Sequence, residues 1–124
     1  MFSIAIPTFN NLEYLKICIE SLRKNSLSKY EILVHVNEGI DGTLEYIKKN
    51  NITYTHTDIN IGLCSSLNTI FKKASYNYFL YAHDDMYFCP EWDIHLTNEI
   101  KKIKHDKFYL SGTMIEPNSG HIKF

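Results

Sequence analysis

Three apolar runs constrain this chain more than any other feature: Phe2 to Ile6, Ile32 to Val36 and Tyr78 to Ala82. Only Ser3 and His35 interrupt them, so none has the polar–apolar alternation of a strand with one wet face. Each reads as a strand buried on both faces, which is the condition of a parallel sheet. Such strands need crossover connections, and the intervals between the runs supply helical patterns. Pro7 closes the first run, and Leu12, Leu15, Ile19 and Leu22 then follow at helical spacing. Asn10 or Asn11 can cap that helix, with Glu13 placed to reach back as in a capping box. After a polar turn from Asn25 to Lys29, Glu31 to Val36 forms the second strand. The loop Asn37 to Thr43 is rich in turn formers, and Leu44 and Ile47, with Lys48 and Lys49 near the end, form a short helix that stops at Asn50-Asn51.

Ile52 to His56 alternates β-branched and polar residues, as a strand at the sheet edge would. Leu63, Leu67, Ile70, Phe71 and Ala74 give a third helix leading into the Tyr78 run. Pro90 suits a first helical position, Glu91 favours the positive end of the helix dipole, and Trp92, Leu96, Ile100 and Ile103 mark the buried stripe of a fourth helix. Phe108 to Leu110 reads as a last strand, and Ser111 to Phe124 has turn residues with little apolar pattern. The fold class is therefore α/β, with a mainly parallel sheet and helices on both faces. At 124 residues and 44% apolar content the chain holds one core, so residues 1–124 are expected to form one domain.

Charge excludes one class of partner. The 13 basic residues nearly cancel the 14 acidic ones, leaving a net charge of -1 and no surplus for a nucleic-acid backbone. No apolar run is long enough to span a bilayer, and the first residues lack the charged start, long apolar stretch and cleavage site of a secretory leader. Cys18, Cys64 and Cys89 are scattered among apolar neighbours and read as buried thiols in a reducing compartment, so a cytoplasmic location is expected. The glycosylation pattern Asn51-Ile52-Thr53 carries no weight in such a protein.

The Tyr78 run ends at His83-Asp84-Asp85. Adjacent carboxylates after a strand can solvate a loop or cap a helix; they can also hold a divalent cation against a phosphate-bearing ligand. Placing the Tyr78 strand beside the first strand, away from the second, would reverse the strand order and open a crevice at the strand ends. The loops meeting there would be Pro7 to Asn11, Asn37 to Gly42 and His83 to Cys89.

Several windows carry a family likeness. Ile4-Ala5-Ile6-Pro7-Thr8-Phe9-Asn10, then Val36-Asn37-Glu38-Gly39 with Asp41-Gly42-Thr43, then Asn60-Ile61-Gly62 with Asn68, and finally His83-Asp84-Asp85 fall in order along the chain. Together they resemble the N-terminal, nucleotide-sugar-binding half of a family 2 glycosyltransferase, from Phe2 to about Leu110. The resemblance implies a Rossmann-like GT-A three-layer sandwich, truncated before the acceptor-binding half. It implies a nucleotide-diphospho-sugar donor, most simply of UDP type, an acceptor of unknown kind, and Mn or Mg as cofactor. His83-Asp84-Asp85 stands where the family has its DxD-type motif, which makes Asp85 the metal ligand and Asp84 its support through ribose hydroxyls or a metal-bound water. Pro7, Thr8, Asn10 and Asn68 would contribute to the nucleotide cradle, and Glu38 takes the place of the family's base-binding Asp.

The chain departs from the family pattern in three ways. Leu67 stands where an arginine often precedes the asparagine matched by Asn68, the loop after the second strand looks one residue shorter, and the chain is short. Glu91, Asp93, Glu99 and Asp106 belong to the fourth-helix pattern and Glu116 to the tail, so no acid after Asp85 is expected to act as the catalytic base. The expectation is a donor-binding fragment or one half of a split enzyme, prone to self-association through apolar surface near its C-terminal end. A non-catalytic interaction or nucleotide-binding module is the alternative. A receiver-type phosphoacceptor would want an acidic pair where Pro7-Thr8 stands, and a dinucleotide-binding domain would want glycines there.

Overall fold

The structure, a computed structural model, describes residues 1–112. The tail expected from Ser111 to Phe124 lies outside the described residues from position 113 on, Glu116 with it. Eight elements alternate along the chain: β1 (Phe2–Phe9), α1 (Leu12–Asn25), β2 (Tyr30–Asn37), α2 (Thr43–Lys49), β3 (Thr53–Thr57), α3 (Leu63–Phe71), β4 (Tyr78–Tyr81) and α4 (Trp92–Lys102). The four strands form one parallel sheet in the order β3-β2-β1-β4. The chain therefore steps outward from β1 to β3 and returns to the other side of β1, which is the reversal expected from the sequence.

The side-chain period of two sorts each strand between two cores. Phe2, Ile4 and Ile6 of β1 and Val34 and Val36 of β2 join Leu15, Cys18, Ile19 and Leu22 of α1, Ile47 of α2 and Ile100 of α4 in the larger one. The opposite faces of the same strands, through Ala5 and Leu33, meet Ile70 of α3, with Leu67, Ala74 and Phe79 packed around them. Three helices cover one face and one covers the other, so β1 and β2 lie between two layers, which is why their sequences lack alternation.

Several boundaries differ from the sequence reading. β1 runs through Pro7 to Phe9. The Ala82 N–H donates to the Ala5 carbonyl at 3.0 Å, so Pro7, two residues on, turns its missing donor to the same side, where pairing has already ended at Ala5 and Tyr81. β4 is less buried than expected: Tyr78 is exposed and Phe79 to Tyr81 half-buried, because no strand lies beyond β4 among the described residues. Phe108 to Leu110 forms no strand; the Phe108 ring sits 6.1 Å from that of Tyr78. Cys18 is buried, but Cys64 and Cys89 are exposed, since each lies near a helix start and outside its packed stripe. Glu91, in left-handed conformation at φ 61°, is the residue before α4, which leaves Pro90 outside the helix.

Asp93 also does more than decorate a helix face. It is 1% exposed and its Oδ2 accepts the backbone N–H groups of Leu27, at 2.9 Å, and Ser28. Burial pushes its pKa up, but those donors outweigh burial and hold the carboxyl below the ordinary aspartate value. With Asn25 Nδ2 on the Phe88 carbonyl at 2.6 Å, this ties the segment after β4 to the end of α1.

Candidate functional site

At the C-terminal ends of β1, β2 and β4 the three polar loops converge on a cleft of about 370 Å3. Pro7, Thr8, Asn10, Asn11, Asn37 and Asp84 line it on the strand side, and Asn60, Gly62 and Leu63 line it at the start of α3. This is the crevice that a reversed strand order opens in a parallel sheet.

Asp84 is fixed from two directions. Thr8 Oγ1 donates to its Oδ2 at 2.6 Å and Asn11 Nδ2 to its Oδ1 at 3.0 Å. Each carboxylate oxygen then holds one donor and keeps acceptor capacity. Asn11 is thereby taken from the expected capping role: it precedes α1 with no side-chain cap, and Glu13 instead pairs with Lys16 at 2.8 Å. The cap comes from the loop between β2 and α2, where Asp41 Oδ2 accepts the Leu12 N–H at 2.8 Å while its Oδ1 accepts from Thr43 N–H and Oγ1. Burial raises the Asp41 pKa, yet these donors, Thr43 Oγ1 foremost, bring it below the usual value.

Asn10 performs a different task from the helix cap weighed for it. Its Oδ1 accepts the N–H groups of Gly39 at 3.1 Å and Ile40 at 3.0 Å, and its Nδ2 donates to Glu38 Oε2 at 3.3 Å. Both Asn10 and Glu38 are left-handed, at φ 46° and 60°, a conformation that costs a non-glycine residue free energy and persists where neighbours impose it. Gly39, at φ 80°, follows directly. A Cβ there would come within 2.6 Å of Val36 Cγ1, so this turn admits only glycine without rearrangement.

Asn37, which opens the second loop expected at the crevice, is buried at the end of β2. Its Nδ2 donates to the Thr8 carbonyl at 3.3 Å and to Ser66 Oγ at 3.2 Å, and its Oδ1 accepts the Ile61 N–H at 2.9 Å. One amide thus joins β1, β2 and the start of α3. Behind it, His35 is fully buried between Thr55 Oγ1 at 2.7 Å and Thr57 Oγ1 at 3.2 Å. Thr57 Oγ1 donates to the Ile59 carbonyl at 2.8 Å, so it accepts from His35 Nε2–H, and Nδ1 accepts from Thr55. Burial lowers the His35 pKa, and the nearby His56 adds to this.

Of the residues singled out in the sequence, Pro7, Thr8, Asn10 and Asp84 line the cleft, and Glu38 is bound to Asn10 without lining it. Asp85 and Asn68 are exposed and outside the lining. Asp85 still shares the neighbourhood: burial first, then the negative charges of Asp84 and Asp85, raise the pKa of Tyr81, and the same causes push the Cys18 thiol up to about 12. Among the described residues no three His, Cys, Asp or Glu side chains converge in a metal-holding group. Leu67, where an arginine was missed, packs against Ala5, Leu33 and Ile70, so its position belongs to the smaller core. Asn11 and Asn37 lie in loops expected at the crevice but had no role there from the sequence, and Leu63 was not expected at the site; their partners follow from the sheet, not from sequence spacing.

Comparisons with known proteins agree with this architecture. The sequence profile of glycosyl transferase family 2 matches residues 3–123. An uncharacterised glycosyltransferase of Rickettsia bellii is 30% identical over 118 residues, covering 90% of this chain and 17% of that protein. Another, from Rickettsia prowazekii, is 32% identical over 107 residues, covering 83% of this chain and 33% of the relative. The chain thus spans a third or less of these proteins. The 1–349 segment of S. aureus TarS, in complex with UDP-GlcNAc, has a TM-score of 0.73 at 24% identity over 82% of this chain and 31% of that one. Mannosyltransferase PcManGT from Pyrobaculum calidifontis, in complex with GDP-Man and Mn2+, has a TM-score of 0.66 at 18% identity over 81% of this chain and 31% of its own. These likenesses establish the GT-A fold, and with the profile covering nearly every residue, the chain belongs to glycosyl transferase family 2.

Proposed function

We propose that this chain is a donor-binding domain for glycosyl transfer, taking a nucleotide-diphospho-sugar into the cleft together with Mn or Mg. One observation carries the reading: the cleft presents Asp84, oriented by Thr8 and Asn11, and its described lining contains no lysine or arginine. A diphosphate entering beside a carboxylate requires positive charge, and a cation bridging the two is the simplest source. The donor set fits a hard cation that keeps most of its ligands from phosphate and water, with Asp84 and Asp85 supplying carboxylate oxygens. Bound there, the ion would stabilise the charge that develops on the leaving diphosphate. Pro7, Thr8 and Asn10 would line the nucleotide, Glu38 would accept a base N–H, and Asn68 would contribute from the exposed side of α3. UDP-GlcNAc and GDP-Man in the structures of the two neighbours support this class of ligand.

Activation of an acceptor hydroxyl needs a carboxylate free to reach it. Beyond Asp85, Asp93 is buried on backbone donors, and Glu91, Glu99 and Asp106 lie outside the lining of the cleft, so none of these suits that task. The proposed role is therefore donor binding, with the acceptor and the base supplied elsewhere. Calorimetric titration with UDP tests it. Heat of binding is expected with Mn present and is expected to vanish on chelation. Equal heat without metal would refute the metal, and no heat in either case would refute the donor role and favour a non-catalytic module.

A further inference from the structure

The Glu38 turn is held from a second side, by a residue that nothing in the sequence marked. His56, at the end of the edge strand β3, places Nε2 2.9 Å from the Glu38 carbonyl, and the Glu38 N–H donates to the Thr57 carbonyl at 2.8 Å. A carbonyl can only accept, so Nε2 carries the proton and the imidazole donates. On the cleft side Asn10 takes the Gly39 and Ile40 N–H groups and the Glu38 carboxylate. Glu38 is thus clamped at its carbonyl, its N–H and its carboxylate, in a left-handed conformation that a glutamate does not adopt freely. His56 is half-buried, and its other ring nitrogen lies 3.9 Å from the fully exposed Asp58, a contact too long and too wet to set the ring orientation. Its well-formed hydrogen bond is the one to Glu38.

We propose that His56 is a positioning residue for the base end of the cleft: by holding the Glu38 carbonyl from β3 it sets the direction of the Glu38 carboxylate, and so the fit of the nucleobase. This role rests on the donor reading above. A carboxylate that accepts one ring N–H must be aimed within a few tenths of an ångström, and releasing the turn would cost base recognition while leaving the diphosphate end intact.

The test compares UDP with inorganic pyrophosphate, a probe without a base, both titrated with Mn against wild type, His56→Gln and His56→Phe. A glutamine amide can donate to the Glu38 carbonyl; phenylalanine cannot. We expect His56→Phe to bind UDP roughly tenfold more weakly, with pyrophosphate binding unchanged and Gln restoring most of the loss. Hydrogen exchange at the Glu38 and Gly39 amides, read without ligand, should quicken in the Phe variant and stay slow in the Gln variant. UDP affinity unchanged in His56→Phe, an equal loss for both probes, or failure of Gln to rescue would overturn the positioning role. Wild type that binds neither probe would instead overturn the donor reading, and the role with it. Normal UDP binding by wild type with slow exchange in every variant would overturn the positioning role alone.

Discussion

The two walls of the cleft are built differently. On the β1–β2 side, Asn10 lines the cleft and is backed by Glu38, Gly39 and Ile40, to which it is hydrogen-bonded, and by His56 on the Glu38 carbonyl; two non-glycine residues there are held left-handed. On the β4 side, the Asp84 carboxylate is held by Thr8 and Asn11 and the exposed His83 ring meets the Tyr81 hydroxyl at 2.9 Å, while Asp85 is exposed. The first wall has its geometry settled before any ligand arrives; the second keeps oxygen atoms available. That division suits the proposed ligand, since a base is recognised by fixed direction and a hydrated cation adapts its shell to the groups it meets.

Removing the β4 wall should have the largest effect. Asp84→Ala deletes the acceptor of both Thr8 and Asn11 and the oriented carboxylate, so Mn-dependent UDP affinity should fall about a hundredfold by calorimetry. Asp85→Ala, at an exposed position, should weaken the metal dependence while leaving the melting temperature unchanged. If Asp84→Ala binds as wild type does, the contrast between the walls has no bearing on function.

Distorting the β1–β2 wall comes next. Gly39→Ala puts a Cβ against Val36 at a positive φ, and should destabilise the fold by about 2 kcal/mol in urea unfolding, with base recognition lost before diphosphate binding. An alanine variant of wild-type stability would show that this turn is softer than its hydrogen bonds imply.

The smallest effect lies behind that wall. His35 has a pKa below its ordinary value of 6.5, chiefly from burial. The unfolded chain then binds a proton more readily than the folded one, so stability is complete above that value and declines as pH falls from it toward the lower folded pKa. Thermal melts across this window should show the decline, and His35→Gln should reduce it. A slope unchanged in that variant would assign the proton uptake to another group.

Much of this arrangement was legible in the chain. Thr8 and Asp84 could be placed because each follows an apolar run, and a run that stops at polar residues marks a strand end. Gly39 and Gly62 flagged the turns they occupy, both at positive φ. The roles of Asn11, Asp41 and His56 were not legible. Asn11 and Asp41 are small polar residues whose identities fit a cap or a turn equally well, His56 fits the polar positions of an edge strand, and the partners lie 73, 29 and 18 positions away. Leu67 carried two readings, an apolar position of the third-helix pattern and the place of a family arginine, and packing in the smaller core bears out the first.

The sequence by itself determined the alternation of strands and helices, the parallel sheet and the place of the acidic pair, because periodicity and strand ends are local properties of the backbone. Only the tertiary structure decided which donor meets which carboxylate. Hydrogen bonds between loops depend on strand order and register, and those emerge when distant segments pack, not from the order of residues within any one of them.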